Sequence, residues 1–302
     1  MDLIVQPEDG LDPILDVING AKATIDVIVF RFDLKAVEKA LEAAVQRGVA
    51  VRALIAHTNS GGDKRLRQLE QRMLNAGVTV TRTGDEFVRY HGKLMIIDRA
   101  ELHVNGFNFT AIDLRSRSFG ALSRDRKVIQ DATKLFEADS LRQEFEPTAD
   151  QFVVSPENAR EQLATFIKRA KKQLYIYDPK VSDPGMLRLL AQRAKAGVDV
   201  RVIGKVGKKG GAIPVQKLPG KRLHVRAMVR DGDTAFVGSQ SLRSLELDGR
   251  REVGLITKDS KVVKRIADTF EADWAKTELG AKEEKKERKE AAAAELAEAA
   301  SR

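Results

Sequence analysis

Four histidines occur in the chain. Two of them, His91 and His224, are each followed two residues later by a cation, Lys93 or Arg226, and five residues after that by an aspartate, Asp98 or Asp231. An imidazole can attack an electrophilic centre or carry a proton near neutral pH, and a fixed cation can neutralise phosphate oxygens. One such histidine alone reads as a satisfied core or edge residue. Two at matching places of a duplicated unit, each with its own cation, point to a paired site.

Each histidine opens a pair of short apolar runs around a turn. With Asp98-Arg99-Ala100-Glu101 as the first turn, His91 is expected opposite Asn108 and Lys93 opposite Gly106. With Asp231-Gly232-Asp233-Thr234 as the second, where Asp-Gly is a strong turn signal, His224 faces Ser241 and Arg226 faces Ser239. Side chains alternate along a strand, so each histidine shares a face with its cation. Asp98 lies seven residues beyond His91, roughly 23 Å along a regular strand. Asp98 and Asp231 therefore read as turn and structural residues.

The elements behind these hairpins are written twice. "IVQPED" from Ile4 echoes "VVSPEN" from Val153, and "AKATIDVIVF" from Ala21 echoes "AKKQLYIYDP" from Ala170. Gly48 matches Gly197, and all three matches share an offset of 149 residues. His91 and His224 stand 133 apart, and "FEADS" and "FEADW" 134 apart. Each half reads as helix, strand, helix, strand, hairpin and closing helix, with Ser155-Pro156 as an N-cap and first helical residue. Strands alternating with helices predict sheets covered by helices. The halves are expected at residues 1–150 and 151–276. The first half has an extra basic amphipathic helix ending at Gly77, and the second a Gly/Lys-rich stretch over residues 204–223 that reads as a mobile, solvated loop.

At 302 residues and 42% hydrophobic content, the chain can bury a substantial core. It has no cysteine, which excludes disulfides and thiolate metal sites and makes a cytosolic setting the expectation. No signal peptide or apolar run of membrane-spanning length is expected. The tail, residues 277–302, is rich in Ala, Glu and Lys and reads as helical or disordered. It carries six basic and seven acidic residues, a net of −1, so the body before it carries +10 against +9 for the whole chain. That charge suits anionic membranes and nucleic acids alike.

At the histidine motifs the sequence resembles the phospholipase D superfamily, marked by His-x-Lys-x4-Asp and a following Gly-Ser-x-Asn type segment in each half. His91-x-Lys93-x4-Asp98 matches in full and continues to Asn105-Gly106-Phe107-Asn108. The second copy has Arg226 for lysine and continues as Gly238-Ser239-Gln240-Ser241. A later Arg-carboxylate-x-Gly segment is kept as Arg251-Glu252-Val253-Gly254, whereas Arg117-Ser118-Phe119-Gly120 lacks the acid. The resemblance covers nearly all of residues 2–275, including the paired-half organisation, in a superfamily that includes phospholipases, cardiolipin and phosphatidylserine synthases, nucleases and members with degenerate sites.

This resemblance implies an α/β fold of two duplicated α-β-α sandwich halves with mixed sheets and an active site at their junction. It implies a phosphodiesterase with a phosphohistidine intermediate and with no metal or cofactor. Lys93 and Arg226 would neutralise phosphate oxygens, and Asn108, Ser239 and Ser241 would bind the same phosphate. Glu252 of one half would orient His91 of the other, making His91 the nucleophile and His224 the general acid/base. Ser118 would leave His224 without a carboxylate. The expected substrate is a phospholipid head group, hydrolysed or transferred, with the enzyme cytoplasmic and peripheral on an anionic membrane. A nuclease on DNA or RNA, and a noncatalytic phosphate-binding protein with a degenerate site, are the alternatives. Both motifs lie in one chain, so no protein partner is needed to complete the site.

Overall fold

The computed structural model describes residues 1–58, 63–207 and 213–286. The first sheet has seven strands, in the order Asp2–Gln6, Ser118–Ser123, Glu101–Asn105, Leu94–Ile97, Thr24–Val29, Ala50–Ile55 and Thr79–Arg82. The last three are parallel and the others antiparallel. Lys35–Gln46 makes one crossover between parallel strands, burying Val37, Leu41 and Ala44 at helical spacing. Gly48 and its repeat mate Gly197, at φ +87° and +86°, turn the chain from helix into the next strand in a conformation that suits glycine.

The second sheet runs Val215–Gln216, Asp199–Val206, Gln173–Val181, Arg226–Arg230, Thr234–Gly238, Arg250–Thr257 and Arg89–Tyr90, with Phe152–Ser155 also paired to Arg250–Thr257. Arg89–Tyr90 comes from the first half yet pairs in parallel with Arg250 and Arg251. The main chain is thus stitched across the repeat boundary beside His91.

Three apolar clusters fill the molecule. Ile14, Val37, Leu41 and Leu69 pack under the first sheet, and Leu163, Phe166, Leu187 and Leu190 under the second. A third joins both halves through Phe119, Phe152, Tyr177, Phe270 and Trp274, with helices Arg126–Leu141 and Ser260–Ala275 contributing Leu135, Phe136 and Ile266. Burying a large apolar side chain contributes roughly 1.5–3 kcal/mol. The junction is therefore an interior rather than a hinge.

Several expectations are corrected. Ile97 pairs with Glu101 and Arg230 with Thr234, so each hairpin has three tip residues and its register is one residue off the expected one. Lys93 lies opposite Asn105, whose N–H it accepts at 2.9 Å, and Arg226 opposite Gly238. The aspartates cause this shift. The Asp98 carboxylate accepts the N–H groups of Lys22, Ala23 and Thr24 at 2.7–2.9 Å, and that of Asp231 those of Lys171, Lys172 and Gln173 at 2.6–3.1 Å. Both are held at positive φ, 52° and 53°, which adds a left-handed residue to the tip.

Ser155 is not a helix cap. It ends a strand paired with Glu252, and the helix starts at Ala159 after Asn158. Each half thus begins with a strand, Asp2–Gln6 or Phe152–Ser155, that the sequence reading took as part of the approach to a helix. The described part of the Gly/Lys-rich stretch is anchored at both ends: Val215 and Gln216 pair with Val202 and Ile203, and Lys221 and Arg222 bind Glu8 and Asp113. Its residues 208–212, like the tail beyond 286, lie outside the described residues. Residues 278–286 are helical, and Trp274 donates to Glu283 there at 2.9 Å.

Candidate active site

Each histidine is placed by the other half's chain. His91 N–H donates to Arg251 O at 2.8 Å, and His224 N–H to Arg117 O at 3.0 Å. The two arginines are themselves buried and matched. Arg117 binds Asp273 at 2.6 and 3.0 Å and also Glu8 and the Gln6 carbonyl, while Arg251 binds Asp139 at 3.0 Å and also Glu157 and the Ser155 carbonyl. Tyr177 and Tyr90 complete the sets by donating to Asp273 and Asp139 at 2.8 and 2.6 Å. Two buried networks thus fix the segments that carry residues 118 and 252.

Glu252 follows Arg251 directly, and its Oε2 lies 2.8 Å from His91 Nδ1. The carboxyl is wholly buried. Burial pushes it up, against the opposing pull of Lys93, Ser239 and Arg226. Lys93 Nζ donates to the His91 carbonyl and sits 3.2 and 3.3 Å from the two ring nitrogens. Burial is the main cause that brings this ammonium down to about 7. The Phe30 ring packs edge-on against the imidazole at 4.5 Å between centroids.

The second half of the site differs. Arg226 donates to the His224 carbonyl at 3.1 Å and to Ser241 Oγ at 3.3 Å. His224 Nδ1 faces Asp113 Oδ1 at 3.4 Å. Asp113 is also buried, and it accepts from Asn108 N–H and Nδ2 at 2.8 and 2.6 Å and from Arg222 at 2.6 Å. Burial would raise this carboxyl, but His224, Asn108 and Arg222 outweigh it and hold it low. A carboxylate therefore does stand beside His224, correcting the expectation drawn from Ser118. Ser118 itself is fully buried.

The halves also act on each other electrostatically. Both imidazoles are driven well below their ordinary value, first by burial and then by cations from both halves, so that Arg226 bears on His91 and Lys93 on His224. Two histidines and two cations thus share one site at the junction. A phosphate placed among them meets preorganised positive charge.

A family model described as "Cardiolipin synthase, PLD-like domain" matches residues 14–140 and 205–274. This chain belongs to that phospholipase D-like family. Among solved structures, the PLD-like chain is similar to polyphosphate kinase from Porphyromonas gingivalis, with TM-score 0.74 and 18% identity over 89% of this chain and 46% of that one. It is likewise similar to phosphatidylserine synthase from Haemophilus influenzae Rd KW20, with TM-score 0.68 and 12% identity over 88% and 84%. Identities this low speak for the fold alone, and the chain spans about half the length of the polyphosphate kinase. No curated protein matches it significantly.

The structure brings His91, Lys93, Glu252, His224, Arg226, Asn108 and Ser241 of the PLD-like chain together. Ser239 is placed differently from the expectation. It is fully buried, and its hydroxyl donates to Val253 O at 3.3 Å and accepts from Val253 N at 3.2 Å, so it braces the strand behind Glu252. Asp98 and Asp231 remain at the hairpin tips. Sequence reading missed Asp113, Arg222 and Phe30. Asp113 had a local signal: Thr110 caps a short helix and Asp113 is its third residue, a capping-box spacing. Glu246 repeats the arrangement in the second half, accepting Ser241 N–H at 2.8 Å.

Proposed function

We propose that the chain is a phospholipase D-type enzyme that cleaves a phospholipid phosphodiester, passing the phosphatidyl group to water or an alcohol. The observation that carries this reading is the buried His91–Glu252 contact across the junction. With Nδ1 turned to Glu252, His91 presents Nε2 for attack on phosphorus. The P–O bond to the leaving group breaks as the N–P bond forms, and the leaving oxygen takes a proton from His224. Water or an alcohol then gives its proton to His224 and attacks phosphorus, breaking the N–P bond and freeing His91. Lys93 and Arg226 balance the charge of the nonbridging oxygens, with Asn108 and Ser241 at their side. Asp113 steadies the His224 imidazolium after it gains its proton. The same cations oppose the charging of either imidazole in the empty site, and an incoming phosphodiester anion relieves that opposition.

The description of the matching family model supports a lipid substrate. Among the described residues no helix is long and apolar enough to cross a membrane. Contact with lipid in this reading is peripheral, at the cytoplasmic surface. A nuclease reading has its own support: Arg89 pairs through its backbone with Arg250, whose guanidinium lies 3.9 Å from Glu252. Such a pair of arginines suits a chain of phosphates. Turnover of vesicles containing anionic phospholipid, set against single- and double-stranded DNA with excess EDTA, tests the choice. Lipid cleavage lost in both His91→Ala and His224→Ala supports the proposal, and DNA cleavage alone with the same losses replaces it.

A further inference from the structure

A cavity of about 550 Å³ lies on the seam between the halves, and none of the site residues lines it. Arg230, on its wall, ends the strand that Arg226 begins, so the two stand about 13 Å apart along the strand. Arg169 and Lys258 join it. Among the described residues, none of these three cations has a carboxylate within ion-pair distance. Arg124, also on the wall, is engaged with Asp2 and Glu101, at 2.9 and 2.8 Å. Of the two acids on the wall, Asp125 is occupied in capping its own helix, and Asp150 stands against the excess of cations.

The buried part of the lining is mixed, with Thr234 and Ser123 polar and three residues apolar. Phe166, Val128 and Leu255 are its apolar members, and the Arg230 guanidinium lies 4.9 Å above the Phe166 ring while donating to Thr234 Oγ1 at 2.9 Å. The guanidinium is thus oriented before any ligand arrives. The internal repeat supplies a comparison. At the corresponding places the first half has Gly20 for Arg169, Ile97 for Arg230 and Val17 for Phe166. The duplicated unit folds without an arginine or an aromatic ring at these places, so their presence in the second half calls for another reason.

We propose that this seam cavity is a second binding site, taking a small organic phosphate whose phosphate meets Arg169, Arg230 and Lys258 and whose apolar body rests on Phe166, Val128 and Leu255. Its volume falls within the range of small-molecule sites. The body is either a flat ring, as in a nucleotide, or an alkyl chain, as in a lipid fragment.

Isothermal titration calorimetry of the full chain with adenosine monophosphate, hexyl phosphate and inorganic phosphate tests this. At least one organic phosphate is expected to bind more tightly than inorganic phosphate, and which of the two binds better identifies the body. Replacing both exposed cations, Arg169→Glu with Lys258→Glu, is expected to weaken that binding by about tenfold or more, whereas His91→Ala leaves it intact. Both substituted residues are at the surface, and circular dichroism checks that the fold is retained. Absence of binding, equal affinity in the double variant, or loss in His91→Ala instead would overturn the proposal.

Discussion

His91 Nδ1 and Glu252 Oε2 meet at 2.8 Å across the boundary of the duplicated halves, in surroundings that exclude water from the carboxyl. In the proposed mechanism this contact leaves Nε2 as the nitrogen that attacks. Glu252→Gln keeps the shape but no longer holds the ring in one tautomer or offsets its positive charge. Turnover is expected to fall about 100-fold or more, the scale of a lost acid/base partner, with the melting temperature little changed. Steady-state kinetics of a phosphodiester substrate on Glu252→Gln checks this.

Asp113 acts on the other histidine, 3.4 Å away. In the proposed mechanism His224 gives a proton to the leaving group and then takes one from the acceptor, so Asp113→Asn is expected to slow both steps and to shift the pH profile. Its Asn108 and Arg222 partners make a structural loss the competing explanation. A displaced limb of the pH–rate profile, with the melting curve unchanged, separates the two.

Lys93 makes the empty enzyme sensitive to pH. Its folded value is about 7 against 10.5 for an unburied lysine. Below about pH 7 both folded and unfolded chains hold the proton, and the folded chain bears the cost of burying the charge. From there up to 10.5 the unfolded chain alone holds it, so this residue's contribution to stability rises with pH across that window. Relative to Lys93→Met, wild type should gain on the order of a few kcal/mol between about pH 6 and pH 9 in urea melts. Affinity for a phosphodiester analogue should fall over the same rise, because the cation that binds it is being lost.

Arg251 is almost wholly buried between Asp139 and Glu157. Arg251→Met strands the buried Asp139 without its cation and is expected to cost about 3–5 kcal/mol. Arg117→Met should do the same through the buried Asp273. The exposed Arg265–Asp9 pair, with the arginine 45% accessible, should cost about 1 kcal/mol or less on Arg265→Ala. Denaturant unfolding of the three variants measures the contrast.

Much of this fold was legible because the chain repeats itself. Matches at fixed offsets gave two α/β halves and paired histidines, and the Arg-Glu-x-Gly segment singled out Glu252. The hairpin register was not legible. It depends on Asp98 and Asp231 reaching back to backbone N–H groups over 70 and 50 residues earlier in the chain, which a two-residue turn rule does not see. Ser155 misled because a serine before proline reads as a helix cap, whereas sheet pairing with Glu252 claims its backbone. Asp113 was passed over because the expected acid position held Ser118. Its proximity to His224 arises only when the second half folds against the first.

Rapid-quench trapping of the covalent intermediate tests the two-histidine mechanism most directly. Wild-type protein mixed with a phosphorus-labelled substrate, quenched under alkaline conditions that preserve phosphohistidine and mapped by peptide, is expected to carry the label on His91, with none in His91→Ala. Label on His224 in the wild type, or undiminished turnover by His91→Ala, would contradict it.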